Sequence, residues 1–215
     1  MQLTGVLGGT FNPIHFGHLR LAQELTDALN LSEVRFIPAA NPPHKDAPDV
    51  SAVQRAEMVK LAIADNPSFK LDERELHRAG ASYTIDTLIS LRSEIGADSA
   101  LCLIMGSDAF TQLNTWHRWQ EILDYCHIIL VQRPLITATN QPPLANELTL
   151  LLQNHYTENV SDLTMQNAGL IHMQTITALS ISSTSIRASF KLKQIPRYLM
   201  PQTVIDYIAT NQLYA

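Results

Sequence analysis

Leu3-Thr4-Gly5-Val6-Leu7-Gly8-Gly9-Thr10-Phe11-Asn12-Pro13-Ile14-His15-Phe16-Gly17-His18 is the stretch that decides the fold. Leu3 to Leu7 is a short apolar run of the kind that forms a buried strand. Gly8 and Gly9 follow, and two residues without Cβ let the chain turn sharply and lie close against a ligand. Beyond Pro13 the pattern becomes helical, with Leu21, Ala22, Leu25, Ala28 and Leu29 on one face. His15 and His18, three residues apart, can face one point where that helix begins. A helix start offers unpaired N–H groups and positive partial charge, which suits phosphate. Strand, glycine turn, paired histidines and helix start together read as a nucleotide-phosphate site.

Outward from this stretch, Val34–Pro38, Phe69–Leu71, Ala100–Met105 and Ile128–Gln132 read as further short strands. Helical patterns separate them, around Met58, Leu61 and Ala62, then around Leu88, Leu91 and Arg92. Alternation of this kind predicts an α/β fold: a Rossmann-like, doubly wound parallel sheet with helices on both faces. Ligands in such sheets bind beyond the carboxyl ends of the strands, where the Gly8-Gly9 turn falls. From about Leu148 the pattern is helix, a candidate strand over Ile171–Ile176, then a small helical C-terminal part from about residue 178. One domain over residues 1–215 is expected. Two stretches break the rhythm. Asn41-Pro42-Pro43-His44-Lys45-Asp46-Ala47-Pro48 is a proline-rich loop leaving the second strand, a place where function is common. Leu135 to Asn146 reads as a surface connection.

Composition narrows the classes. Of 215 residues, 46% are hydrophobic and 16% charged, as in a folded globular protein. A net charge of −5 gives no positive field to recruit nucleic acid or anionic membrane. No apolar run reaches the ~18–20 residues of a bilayer span. The sequence opens directly on strand and motif, so no signal peptide is expected and the cytoplasm is the expected location. Cys102 and Cys126 lie in apolar surroundings and read as buried free thiols. His77, His127, His155 and His172 carry no partner pattern and read as structural. Self-association between identical chains is left open.

Ile181-Ser182-Ser183-Thr184-Ser185-Ile186-Arg187 is the second informative motif. Serine or threonine before a helix is first of all a cap. Arg187, however, lies three residues after Thr184 and can lean over the same helix end. Hydroxyls, free amides and a forked guanidinium there make a second anion site.

The pairing of Gly8-Gly9-Thr10-Phe11-x-Pro13-x-His15-x-Gly17-His18 with Ile181-Ser182-x-Thr184-x-Ile186-Arg187 resembles the nucleotidylyltransferase superfamily. Pro42-Pro43-His44-Lys45, Ser82-Tyr83-Thr84-x-Asp86-Thr87-Leu88, Gly106-Ser107-Asp108, Trp116 and Arg133-Pro134 are similar to the bacterial nicotinate-nucleotide adenylyltransferases in particular. One departure stands out: Asn12 occupies a position where aspartate is usual.

That resemblance implies an enzyme of NAD biosynthesis whose partners are ATP and nicotinate mononucleotide, and whose products are nicotinate adenine dinucleotide and pyrophosphate. The attacking group is already a phosphate anion, so no side-chain base is needed; alignment and charge neutralisation suffice. His15 and His18 are expected on the triphosphate, with His18 bearing most on the transition state, and Lys45 and Arg187 complete the catalytic cations. Gly8, Gly9, Thr10, Phe11, Gly106, Asp108, Arg133, Ser182, Ser183 and Thr184 are expected to bind ATP, Arg133 by stacking its flat guanidinium on adenine. Trp116 and His117, with Tyr83 and Thr84 opposite, are expected to hold the pyridine ring. Tyr83-Thr84 and Trp116-His117 are each expected in the first turn of a helix, so that free amides meet the ring substituent; Trp119, in the same helix as Trp116, is assigned to packing.

Mg2+ is expected as a cofactor carried by the ATP phosphates, with no protein metal site. An H-x-x-H pair can hold zinc, but no third or fourth ligand follows at suitable spacing. A phosphopantetheine adenylyltransferase lacks the Ser82–Leu88 and Trp116 segments. A non-catalytic nucleotide sensor is disfavoured by the presence of both His18 and Arg187. A class I aminoacyl-tRNA synthetase fragment is disfavoured by acidity and by the missing tRNA-binding appendage.

Overall fold

The computed structural model describes residues 1–41, 50–132, 144–177 and 179–214. Its elements in chain order are β1 (Gln2–Gly9), α1 (Phe16–Leu29), β2 (Glu33–Pro38), α2 (Ala52–Ile63), β3 (Phe69–Leu71), α3 (Thr84–Ile95), β4 (Ser99–Gly106), α4 (Ser107–Phe110) and α5 (Ile122–Tyr125). There follow β5 (His127–Gln132), α6 (Asn146–His155), β6 (Tyr156–Thr157), β7 (Ile171–Thr175), α7 (Ser183–Lys191) and α8 (Gln202–Thr210). The strands form one parallel sheet in the order β3-β2-β1-β4-β5-β7-β6. A doubly wound α/β sheet is thus what the sequence pattern predicts and what the chain forms. The candidate strand at Ile171–Ile176 is β7, ending at Thr175, and β6 is an additional two-residue edge strand too short to leave a periodic signal.

Strand residues alternate between two cores, as period-two side chains must. Ala100, Cys102 and Ile104 of β4 join Leu3 and Leu7 of β1 on the face covered by α1, α2, α7 and α8. Leu101, Leu103 and Met105 join Val6 on the face covered by α3, α5 and α6. Both cysteines are free and buried, and burial pushes the Cys102 thiol up to about 12. His127, His155 and His172 each bond a backbone carbonyl, which satisfies them structurally. Among the described residues no helix is long and apolar enough to cross a membrane.

The strand order places the site. The chain winds one way from β1 through β2 to β3, then returns to lay β4 on the other side of β1. Between the carboxyl ends of β1 and β4 the connections leave in opposite directions, and a crevice opens there.

Candidate active site

At that crevice lies a cavity of about 460 Å³, within the range of small-molecule sites. Gly8, Gly9 and Thr10 from the end of β1 and Gly106 from the end of β4 line it, together with Ser82, Tyr83, Thr84, Trp116 and His117. A Cβ built on Gly8 would meet no protein atom within 4 Å, so the backbone there faces open space that a ligand can fill. Asp108 is exposed on α4 and Phe11 is buried, its ring packed edge-on against His18 and tilted against Phe36. Neither lines the cavity, so Phe11 can offer a ligand only its main chain. Lys45 and Arg133 lie outside the described residues.

His15 and His18 form a reciprocal cap at the start of α1. His15 Nδ1 accepts the Gly17 N–H at 3.2 Å, and His18 Nδ1 accepts the His15 N–H at 3.3 Å. Each ring spends Nδ1 as an acceptor, so Nε2 carries the proton. The rings stack with centroids 3.8 Å apart. The Gly17 position has no room for a side chain: a Cβ there would sit 2.9 Å from the His15 ring.

His15 is buried, and that burial pushes its imidazole down to about 4. Its unfolded value is near 6.5, so on acidification the unfolded chain takes the proton first. Stability from this group is therefore complete above pH ~6.5 and lost as pH falls towards ~4, about 2 kcal/mol by pH ~5. Denaturant unfolding at pH 7 and pH 5 should show this loss shrinking in His15→Gln. An unchanged pH slope in that variant would remove His15 as its source.

The second motif docks directly on the first. Ser182 caps α7 by accepting the Ser185 N–H at 3.1 Å. The Ser183 hydroxyl donates to the Pro13 carbonyl at 2.9 Å, and Arg187 Nη1 donates to the Asn12 carbonyl at 2.8 Å. Arg187 also reaches Thr184 Oγ1 at 3.4 Å, leaning over the helix end as its spacing predicts. Exposed Thr184 stands at the same end.

Two residues that sequence reasoning passed over complete the hold on this turn. Arg55 of α2 is 1% exposed and donates to the carbonyls of Thr10 at 2.6 Å and Ala39 at 2.7 Å, tying the ends of β1 and β2 together. The Tyr214 hydroxyl donates to Asn12 Oδ1 at 2.6 Å. With the carbonyls of Thr10, Asn12 and Pro13 all bound by these donors, the turn has few main-chain oxygens left to repel an anion.

At the far end of the cavity Tyr83 caps α3 without a side-chain hydrogen bond, as the segment from Ser82 predicts. Ser82 Oγ accepts from the amides of Ala40 and Asn41, both at 3.1 Å, joining the exit of β2 to the start of α3. Tyr83 and His117 lie with ring centroids 4.4 Å apart. The expectation for Trp116 and His117 needs correction. Trp116 ends a 3-10 turn (Leu113–Thr115) and its N–H donates to Leu113, while Trp119 opens a separate 3-10 turn. Those short turns have no 3.6-residue period to reveal them. Glu75, also missed, lines the cavity with its carboxylate accepting from Thr87 at 2.7 Å, and Arg78 bonds the same Thr87 oxygen at 3.1 Å. The ring end is therefore not built of donors alone.

Among the described residues no group of three or more His, Cys, Asp or Glu could hold a metal. Around the turn after β1 the chemistry on offer is amide, imidazole and guanidinium N–H, which suits phosphate oxygen.

A family model described as cytidylyltransferase-like matches residues 6–189. The "Probable nicotinate-nucleotide adenylyltransferase" of Aeromonas hydrophila is 47% identical over 210 residues, covering 98% of this chain and 96% of that one. Its namesake in Halorhodospira halophila is 46% identical over 204 residues, covering 95% and 91%. Among solved structures, the nicotinic acid mononucleotide adenylyltransferase of Plasmodium falciparum complexed with NaAD superposes with a TM-score of 0.71 at 18% identity, over 100% of this chain and 98% of that one. At that identity the likeness speaks for the fold.

Proposed function

The chain belongs to the nicotinate-nucleotide adenylyltransferase family, within the cytidylyltransferase-like group, and from that premise we propose that it joins nicotinate mononucleotide to the AMP part of ATP. An oxygen of the mononucleotide phosphate attacks the α-phosphorus of ATP, the bond to the β-phosphate oxygen breaks, and pyrophosphate leaves with the electron pair. No proton has to move, and no general base is needed.

The observation that carries this reading is the docking of α7 on the turn after β1, which brings the starts of α1 and α7 against the turn whose Gly8, Gly9 and Thr10 line the cavity. His15 and His18 do not line it, and their Nε2 donors are assigned to a phosphate lying over that turn. These donors neutralise charge on the phosphoryl oxygens as it shifts towards the leaving group. Arg187, already bonded to Asn12, keeps further N–H groups of its guanidinium for phosphate. A divalent ion such as magnesium, carried on the ATP phosphates, would shield their charge. Thr10, Gly106 and their neighbours border the nucleotide, and Tyr83, Thr84, Trp116 and His117 border the pyridine ring.

Pyrophosphate release from ATP with a panel of phosphate-bearing acceptors tests the reaction. Nicotinate mononucleotide is expected to exceed the nicotinamide form by about 100-fold in kcat/KM, or about 3 kcal/mol. The first turn of α3 offers unpaired amides to a carboxylate, whereas a carboxamide would set its own N–H groups against them. Trp116→Ala should slow both acceptors and keep most of their ratio. Equal efficiency for acid and amide would refute the amide-donor account while leaving adenylyl transfer standing.

A further inference from the structure

Four acceptors of the turn after β1 are held from distant parts of the chain: the Thr10 carbonyl by α2, the Pro13 carbonyl by α7, and Asn12 twice. Its carbonyl takes Arg187 and its side chain takes Tyr214, in the segment after α8. We propose that Tyr214 is a positioning residue for ATP, acting through Asn12 on the phosphate-facing turn.

The geometry gives the tyrosine two distinct parts. Its ring lies nearly parallel to Phe190 of α7, with centroids 6.1 Å apart and planes at 26°, and packs on the core beneath. Its hydroxyl, 2.6 Å from Asn12 Oδ1, has a separate job. A phenol donating to the amide oxygen fixes which way the Asn12 side chain faces. The same residue's carbonyl is the anchor of Arg187, so Tyr214 and Arg187 grip one peptide from side chain and main chain. Phe11, just before it, is held at φ 47°, a left-handed backbone that only surrounding contacts maintain. Asparagine at position 12 makes the grip charge-neutral, so the cationic charge of Arg187 and Arg55 is not cancelled by a carboxylate within the turn. Loss of the hydroxyl frees the Asn12 side chain to rotate and lets the turn relax away from the triphosphate, while the ring end of the cavity keeps its own supports at Ser82 and Thr87.

Tyr214→Phe removes the hydroxyl and keeps the ring. It should raise the Kd of a non-hydrolysable ATP analogue, measured by calorimetry on the full chain, about fivefold to tenfold. Thermal stability should hardly move. The KM for ATP should rise in parallel, and that for nicotinate mononucleotide should stay within about twofold. In an Asn12→Ala background the same substitution should add less than about twofold, because the hydroxyl has lost its partner. Analogue affinity within twofold of wild type, equal losses in both backgrounds, or equal rises for both substrates would overturn the assignment. Only the acceptor arm rests on the proposed reaction. If the mononucleotide proves not to be a substrate, analogue binding and the double-variant cycle still decide the role of Tyr214.

Discussion

His18→Ala is expected to lower turnover by about 10²- to 10³-fold, the scale for removing one donor aimed at developing phosphoryl charge. The Nε2 of His18 is fixed as a donor because its Nδ1 is spent on the His15 amide, and its ring is held between His15 and the edge of Phe11. The same substitution also removes a cap from α1, which costs about 1 kcal/mol. A second variant separates the two effects. His18→Asn can restore an oxygen acceptor for the His15 amide without placing a donor where Nε2 stood. Thermal unfolding should show His18→Asn more stable than His18→Ala, with both almost inactive in pyrophosphate release. Near-normal turnover in a folded His18→Ala enzyme would end the catalytic assignment.

Arg55→Met is expected to cost about 2–4 kcal/mol of stability, the scale for leaving two part-buried carbonyls without their donor. Methionine fills much of the same volume, so the loss is chiefly one of hydrogen bonds. The part-buried carbonyls of Thr10 and Ala39 would be left without their donor, and each then loses part of what the hydrogen bond returned for its desolvation. Burial holds the Arg55 guanidinium below its ordinary pKa, yet arginine stays charged, and its partners are carbonyls rather than a carboxylate. Arg55→Lys keeps the charge but offers no fork to span both loops, so it should recover only part of the loss. Urea unfolding of the three proteins provides the check. A folded Arg55→Met protein as stable as wild type would show that neighbouring donors or water replace the guanidinium.

Much of this was legible in the sequence because the site sits where local signals are strong. β1, β2, β4 and β5 are short apolar runs, and the first motif combines strand, glycine turn and helix cap within a few residues. The contact between Arg187 and Thr184 follows from helical spacing alone. What escaped was mostly long-range. Arg55 shares a helix face with Met58, Val59 and Ile63, all buried, so the period did place it inwards. An arginine reads as surface until one knows that carbonyls from two strand ends surround it. Tyr214 has no local pattern, and its partner is 202 residues away. Glu75 lies between periodic segments, and the 3-10 turns around Trp116 lack the period by which helices are recognised.

The clamps on the turn after β1 also bear on the order of events in synthesis. The turn is made early in synthesis, but Ser183, Arg187 and Tyr214 are 170, 175 and 202 residues downstream of their partners in it. A chain that has emerged only through β5 has the Arg55 hold on Thr10 but still lacks the holds of Ser183, Arg187 and Tyr214 on Asn12 and Pro13. Nucleotide can then distinguish finished molecules from partial ones, binding where α7 and the segment after α8 have docked and drawing the population towards that state. A ligand that binds only the clamped turn would therefore favour closure of the chain on itself.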